Sequence, residues 1–195
     1  MYKTLIRPVL FKFNPEVAHN LTLNGLKVLR RIPFARNIVR LIYKREHPNL
    51  EREVFGIKFP NPVGLAGGLD KNGEVYNELS DFGFGFVEIG SLTAKPQPGN
   101  PKPRLFRVVK DKAIINRMGI NNHGVTQAIR NINSNHPRVI IAGNIAPNSS
   151  SQGEQVTEDY KTAFSLLYDF VDMFVINISC PNVVGLTSLQ EVSSL

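Results

Sequence analysis

The sequence predicts an α/β protein whose parallel sheet follows a short, basic helical extension at the N-terminus. Three observations predict this class. From about residue 53 onward short apolar strands alternate with amphipathic helices, the strands end in glycine or polar residues, and the positive charge is concentrated in the first 50 residues. Serial βα units favour a parallel sheet because each helix carries the chain back to the same end of the sheet.

The N-terminal extension is defined by its charge. Residues 1–50 contain ten Lys or Arg and two acidic residues, whereas the rest of the chain contains 13 basic and 14 acidic side chains. A helix is predicted over 14–31, because Asn14 suits the N-cap and Pro15 suits the first helical position. A second, shorter amphipathic helix is predicted over 34–43.

Two compatible interpretations follow for this N-terminal module, residues 1–50. Two short, basic, amphipathic helices suit a peripheral contact with a membrane surface. They also suit a helical cap that docks on the second unit, residues 51–195, and leaves its basic face solvated. Nucleic-acid binding is disfavoured, because no stacking aromatic residues are interleaved with the charges.

Several other classes of protein are excluded by composition. No apolar run approaches 18 residues, so a membrane-spanning helix is not expected. Charged residues interrupt the early apolar run and no small-residue cleavage site follows, so a secretory signal is not expected either. The only cysteine, Cys180, cannot form an internal disulfide. No metal site is expected.

The elements of the second unit are predicted in order from runs of apolar residues bounded by Gly, Pro and polar residues. Gly83 ends the first helix of this unit, and a Pro-rich segment, 95–104, precedes a hairpin. Strands are expected at 53–59, 62–66, 86–90, 105–109, 113–116, 139–144 and 173–178, and helices at 74–82, 124–132 and 156–170.

Four parallel strands form either a small open sheet or half of an eight-stranded barrel. Polar or glycine residues stand at the end of each strand, which is where a (β/α)8 barrel carries its site. A complete barrel takes about 250 residues. We therefore expect the first half of a TIM barrel, about four βα units, with the C-terminal half absent and the chain stopping in an apparent helix start at 193–195.

Three segments carry candidate chemistry. The turn 67–73 is glycine-rich and places the cation of Lys71 beside a surface that a flat ligand can approach. The segment 116–122 holds three Asn within seven residues, and the segment 177–182 places two Asn around Cys180. Asn offers a donor and an acceptor together, which suits the amide edges of a pyrimidine ring. Turn and capping roles are the alternative for the Asn residues, and a buried apolar role is the alternative for the cysteine.

The chain resembles the dihydroorotate dehydrogenase family through four motifs in the family's order. They stand here as GLAGGLDKNGE at 64–74, GFGFVEIGSLTAKPQPGNPKPRLFR at 83–107, INRMGINN at 115–122 and NISCPNVVGL at 177–186. The N-terminal helical extension resembles class 2, the membrane-associated branch that reduces quinones. The resemblance implies a partial TIM barrel, an FMN cofactor, dihydroorotate and orotate as ligands, a membrane quinone as acceptor and a peripheral location on the cytoplasmic side of the cell membrane.

The resemblance also implies roles for individual residues. Cys180 aligns with the catalytic base, which takes a proton from carbon 5 of dihydroorotate while carbon 6 gives a hydride to the flavin. The residues implied for FMN are Gly67, Gly68, Leu69, Asp70, Lys71, Ser91, Asn144 and Asn177. The residues implied for the substrate are Lys71, Asn116, Arg117, Met118, Gly119, Ile120, Asn177 and Asn182.

Three positions depart from the family pattern. Cys180 stands where class 2 members usually have Ser and soluble class 1 members have Cys; Ile120 replaces a Phe, and Pro147 replaces a Lys. Two alternatives therefore stay open: a class 1-like soluble enzyme that uses fumarate or NAD, and an inactive truncated paralogue tethered to a membrane. Because the second half of the barrel supplies further flavin contacts, we expect these 195 residues alone to be inactive and not to retain FMN.

Overall fold

The computed structural model describes residues 2–182 and Gln190. The helices are α1 (Arg7–Leu10, preceded by a π-helical turn at Tyr2–Ile6), α2 (Pro15–Leu29), α3 (Ala35–Tyr43), α4 (Tyr76–Ser80), α5 (Val125–Ser134) and α6 (Glu154–Leu167), with 3-10 turns at Pro48–Leu50 and Tyr168–Phe170. The strands are β1 (Arg52–Val54), β2 (Ile57–Phe59), β3 (Gly64–Leu65), β4 (Phe86–Leu92), β5 (Leu105–Val108), β6 (Ala113–Asn116), β7 (Ile140–Ile145) and β8 (Met173–Ile176).

A four-stranded parallel sheet in the order β3-β4-β7-β8 forms the centre of the fold. Strands β4 and β7 are buried along most of their length, as expected for a parallel sheet covered on both faces. Two antiparallel hairpins, β1-β2 and β5-β6, lie outside it. All four parallel strands end at the same edge, so the residues that follow them meet there.

Helix α6 packs closely on β7 because Gly143 has no side chain. A Cβ at this glycine would lie 2.6 Å from Cδ2 of Leu167, which is fully buried in the main core. The core also contains Ile89, Ile141 and, from the N-terminal helix α2, Leu23. The sheet is therefore held by helices of its own βα units and by α2.

The N-terminal helices dock on the sheet unit through ion pairs. Lys27 of α2 pairs with Glu74 at 2.8 Å, and the buried Glu16 pairs with Arg104 at 2.7 Å. On α3, Arg36 and Arg40 both pair with the carboxylate of Asp81, which is only 2% exposed. The N-terminal helices are thus a docked cap, as one interpretation of the sequence proposed.

The expectation that the basic face of this cap is solvated is wrong for α3. Its two arginines face the protein, and its apolar side chains face outward: Ile38 is 57% exposed, Leu41 81% and Ile42 55%. The physical reason is Asp81, since a buried carboxylate is costly unless cations neutralise it. No helix in the described part of the chain is long and apolar enough to cross a membrane.

The remaining predicted elements are present with shifted ends, except that the strand expected at 53–59 is a hairpin of two strands, β1 and β2. Strand 62–66 is reduced to the two residues of β3, helix 74–82 is reduced to α4, and helix 156–170 begins earlier and ends in a 3-10 turn. Helix α1 was not predicted; Pro8 lies in its first turn, where proline is compatible with a helix. The helix start expected at 193–195 lies outside the described residues.

Candidate functional site

A cavity of about 490 Å³ opens at the carboxyl edge of the parallel sheet. Residues of strands β4 and β7 and of the turns after β3 and β8 line it, together with the β5-β6 hairpin, the loop after it and helix α2. The predicted site residues in the lining are Gly67, Gly68, Lys71, Ser91, Asn116, Met118, Gly119, Ile120, Asn144, Asn177, Cys180 and Asn182. The fold therefore brings together residues that are up to 115 positions apart in the sequence.

The glycine-rich turn after β3 forms one wall. A Cβ at Gly67 would lie 2.5 Å from Oε1 of Glu88, so a side chain does not fit there without displacing that carboxylate. Gly68 has a φ of +101°, a conformation that favours glycine, and its N–H donates to the carbonyl of Gly90 at 2.8 Å. These glycines keep the backbone close to the cavity.

Asn144, at the end of β7, presents an unused acceptor. Its Nδ2 donates to Oε1 of Glu88 at 2.5 Å, which fixes the orientation of the amide. Its Oδ1 is buried and accepts no hydrogen bond from the described residues. A buried carbonyl oxygen without a donor is costly, so this atom marks a place where a ligand donor is favourable.

Asn177, after β8, is held on two sides. Its Nδ2 donates to Oγ of Ser91 at 2.8 Å, and its backbone carbonyl accepts the hydroxyl of Tyr160 at 2.6 Å. Burial raises the pKa of Tyr160 to about 12, so this hydroxyl stays a donor at neutral pH. The side-chain amide of Asn177 is thereby tied to strand β4, and its backbone is held by helix α6.

Two cationic or titratable groups face the cavity from different parts of the fold. Lys71 donates through Nζ to the carbonyl of Gly68, and burial, followed by the nearby charge of Arg104, lowers its pKa. His19 of helix α2 lies beside it, and burial together with the charge of Lys71 lowers the pKa of the imidazole. The N-terminal helices therefore contribute directly to the wall of the cavity.

Cys180 lies in the same cavity as Lys71 and Asn116. It is a free, half-buried thiol, and it packs against the buried pair Ile120 and Ala146. One side of the thiol therefore contacts apolar side chains while the residue borders the cavity.

Three predicted ligand residues do not line the cavity. The carboxylate of Asp70 is buried and accepts the backbone N–H groups of Glu74 and Val75, each at 2.8 Å, before helix α4. Burial raises its pKa. Leu69 packs against the main hydrophobic core. The guanidinium of Arg117 donates to the carbonyl of Pro103 on the outside of the hairpin. The side chains of Leu69, Asp70 and Arg117 therefore lie outside the lining of the cavity.

Sequence reasoning also missed lining residues. Gly90 and Asn121 lie inside the recognised motifs at 83–107 and 115–122, and the buried Oδ1 of Asn121 has no hydrogen-bond partner among the described residues. Leu105 also lies inside the motif at 83–107, whereas Ile114 and His19 lie outside the four motifs and reach the cavity through tertiary docking. Among residues 2–182 and Gln190, no group of three His, Cys, Asp or Glu is arranged to hold a metal ion.

A parallel sheet with a glycine-lined polar cavity at its carboxyl edge is the arrangement of a ligand-binding β/α barrel. Comparison with known proteins agrees. A family model described as dihydroorotate dehydrogenase matches residues 49–195. The dihydroorotate dehydrogenase (quinone) of Christiangramia forsetii is 51% identical over 195 residues, covering 100% of this chain and 57% of that protein. That of Methylococcus capsulatus is 43% identical over 190 residues, covering 97% and 54%.

The fold is also similar to a solved structure. The crystal structure of DHODH in complex with ferulenol from Eimeria tenella matches with a TM-score of 0.77 and 36% identity, over 91% of this chain and 47% of that one. The chain belongs to the dihydroorotate dehydrogenase family. Both curated relatives named above are quinone enzymes by name, and the parallel sheet of this chain matches part of the family's TIM barrel. It spans about half the length of the curated relatives it matches.

Proposed function

We propose that this chain provides the flavin- and substrate-facing part of an enzyme that oxidises (S)-dihydroorotate to orotate, with FMN as cofactor and a quinone as acceptor, in pyrimidine biosynthesis. The observation that carries the proposal is the convergence of all four family motifs on one cavity. Lys71, Asn116, Asn144 and Cys180 come from separate motifs or strand ends and line the same space.

The residues present fit FMN. The unused acceptor of Asn144 suits a ring N–H, and the side-chain-free wall at Gly67 and Gly68 lets backbone groups approach a flat ring. Lys71, Ser91 and Asn177 would complete the flavin side. The backbone of 69–70 could also contact the flavin, although the Leu69 side chain packs against the core and the Asp70 carboxylate accepts the N–H of Val75.

The substrate side would be formed by amides. Asn116, Asn177 and Asn182 each offer a donor and an acceptor, which matches the alternating N–H and C=O groups of a dihydropyrimidine ring. Lys71 supplies a positive charge for the substrate carboxylate. The segment Met118, Gly119 and Ile120 would cover the ring.

The proposed chemistry divides between the chain and the cofactor. FMN, when bound, accepts the hydride that leaves carbon 6. The Cys180 thiolate takes the proton from carbon 5, and the electron pair of that C–H bond forms the carbon 5–carbon 6 double bond of orotate. The amides hold the ring so that carbon 5 faces Sγ, and the surrounding apolar side chains Ile120 and Ala146 limit access of water.

The N-terminal module, residues 1–50, is proposed to make a peripheral contact with the cytoplasmic side of the cell membrane and to admit the quinone beneath its helices. Exposed apolar side chains support this, since Leu5 is 66% exposed, Phe34 77% and Leu41 81%. The position of His19 supports a path for the quinone from these helices to the flavin, because this residue of helix α2 lies in the wall of the cavity.

A decisive experiment joins residues 1–195 to the C-terminal part of the Christiangramia forsetii relative that this chain does not cover. The chimaera is expected to bind FMN and to oxidise dihydroorotate with a quinone analogue. Cys180→Ala should keep FMN and lose most flavin reduction by dihydroorotate, by about 10²-fold or more. A chimaera that binds FMN but leaves dihydroorotate untouched would refute the proposal.

The acceptor distinguishes the second candidate function. The soluble class 1 enzymes have a cysteine as the base at the position of Cys180. This resemblance favours their acceptors, fumarate or a nicotinamide, as the alternative. We expect the chimaera to prefer the quinone analogue, since the apolar N-terminal surface suits a lipid-dissolved acceptor. Faster turnover with fumarate or NAD than with the quinone would support the class 1-like alternative instead.

The chain by itself is expected to lose FMN during purification. Strands β3 and β8 each pair on one side only in the described sheet, so the cavity is open beyond both of them. Weak binding at millimolar ligand is compatible with this, whereas stoichiometric flavin on the purified chain would contradict it.

A further inference from the structure

Asn100 lies outside the cavity and joins two of the segments that line it. It belongs to the Pro-rich segment between β4 and β5. Its Nδ2 donates to the carbonyl of Arg117 at 3.0 Å and to the carbonyl of Asn182 at 3.1 Å. Its backbone N–H donates to the carbonyl of Met118 at 2.9 Å. One residue therefore bonds both the loop after the hairpin and the turn after Cys180.

The packing at this junction leaves little freedom. Gly119 has a φ of +73°, and a Cβ there would lie 2.7 Å from Cγ of Asn100. A Cβ at Gly99 would lie 2.2 Å from the carbonyl oxygen of Met118. The backbone of 118–119 therefore rests directly on the Asn100 amide, and a small movement of Asn100 must move that backbone.

Asn100 is itself anchored. Its carbonyl accepts Nη1 of Arg104 at 2.9 Å, and the same nitrogen donates to the carbonyl of Pro98 at 2.6 Å. Arg104 is buried and bonded through its other nitrogens to the carboxylate of Glu16 on helix α2. Arg104 therefore fixes the position of Asn100 relative to the docked helix α2.

From this geometry we propose that Asn100 is a positioning residue for the substrate. It fixes the spacing between Asn116 and Gly119 on one side of the cavity and Asn182 on the other, and it touches neither the cavity nor the flavin-facing residues. The inference rests on the proposed function, because it assigns these two segments to the substrate. It predicts that loss of the Asn100 amide weakens substrate binding and spares flavin binding.

The test compares two identical chemical changes in the whole chain. Asn100→Asp removes the Nδ2 donor at the junction. Asn61→Asp is the matched control: Nδ2 of Asn61 donates to the carbonyl of Gly83 at 3.1 Å and Oδ1 accepts the N–H of Val63 at 3.0 Å, at the amino end of the sheet. Backbone amide spectra are recorded for the three proteins and titrated separately with orotate and with FMN.

Asn100→Asp is expected to shift the amide signals of Met118, Gly119 and Asn182 and to weaken orotate binding by at least about tenfold. FMN binding should change by less than about twofold, because its contacts are independent of the junction. Asn61→Asp should leave both ligands bound as in the unsubstituted chain.

Three results would overturn the inference. Unchanged orotate binding in Asn100→Asp would show that the junction does not position the substrate. An equal loss of orotate and FMN would indicate general structural damage. If the unsubstituted chain bound FMN but not orotate, the substrate assignment of the proposed function would fail, and the positioning role would fail with it. If the chain alone bound neither ligand, the same three-way comparison would be made in the chimaera described above, with the same outcomes deciding.

Discussion

The ion pair between Glu16 and Arg104 gives the sharpest stability prediction. The side chains are 11% and 7% exposed, and Arg104 donates to both carboxylate oxygens, at 2.7 and 3.2 Å. Replacing Arg104 with Met keeps an unbranched side chain of similar length. It removes the guanidinium and leaves the Glu16 carboxylate buried with only Lys102, which is 67% exposed, at 3.4 Å.

The expected cost follows from burial. Removing one partner of a buried pair costs about 3–5 kcal/mol, because the other charge remains uncompensated. The exposed Lys102 offsets about 1 kcal/mol at most. For a chain of this size, each kcal/mol corresponds to about 2–4 °C in Tm, so a net cost of about 2–5 kcal/mol in Arg104→Met should lower Tm by roughly 4–20 °C.

Thermal and urea denaturation followed by circular dichroism provide the measurement, and Glu16→Leu and the double variant Glu16→Leu/Arg104→Met complete a cycle. The double variant should recover at least half of the loss, since no buried charge is left unpaired. Because the hydrogen bond from Arg104 lowers the pKa of Glu16, the pair stabilises the fold above about pH 4.5 and loses this effect as the pH falls through the folded pKa. The difference between the unsubstituted chain and Arg104→Met should therefore shrink in acid.

A loss of less than about 1 kcal/mol at pH 7, or a double variant no more stable than Arg104→Met, would refute the reasoning. The first result would mean that the pair is effectively solvated. The second would mean that the lost hydrogen bonds to the Pro98 and Asn100 carbonyls, and not the unpaired charge, dominate.

Three further predictions concern other sites. Glu78 is fully buried, burial raises its pKa, and neither of its oxygens accepts a hydrogen bond from another described residue, so its contribution to stability falls as the pH rises above about 4.5. In urea melts at several pH values, Glu78→Gln should gain about 1–3 kcal/mol at pH 7 and remove this dependence of stability on pH. Gly143→Ala should lower the free energy of unfolding by about 1–3 kcal/mol through overpacking against Leu167, whereas Gly25→Ala, in open space on helix α2, should raise it by about 0.5–1 kcal/mol. Equal effects of the two substitutions in the same melts would contradict the close packing at Gly143. Leu41→Glu should leave stability within about 0.5 kcal/mol but reduce co-sedimentation with lipid vesicles, and unchanged co-sedimentation would count against α3 as a membrane contact.

The sheet was predictable because its signals are local. The runs that became β4 and β7 are apolar and bounded by Gly, Pro and polar residues, so their type and order follow from composition. The placement of polar residues at strand ends predicted a shared cavity, and most of the expected residues do line it. β3 is shorter than expected, with only Gly64 and Leu65 paired to β4.

The predictions were wrong or incomplete mainly where the structure depends on contacts between residues that are distant in the sequence. Asp70 is an exception, because its side chain is held locally: its carboxylate accepts the backbone N–H groups of Glu74 and Val75, and the glycine-rich turn did not indicate this role. The orientation of α3 depends on Asp81, which lies 41 and 45 positions away from the arginines that bind it. His19 reaches the cavity only because α2 docks, and no pattern within the helix reports this.

The inside-out arrangement of α3 has a consequence for handling the protein. Arg36 and Arg40 are paired with Asp81 inside the protein, so the outer face of this helix is apolar and not charged. Adhesion through it should therefore resist washing with concentrated salt, which screens charges, and yield to mild detergent, which replaces apolar contact.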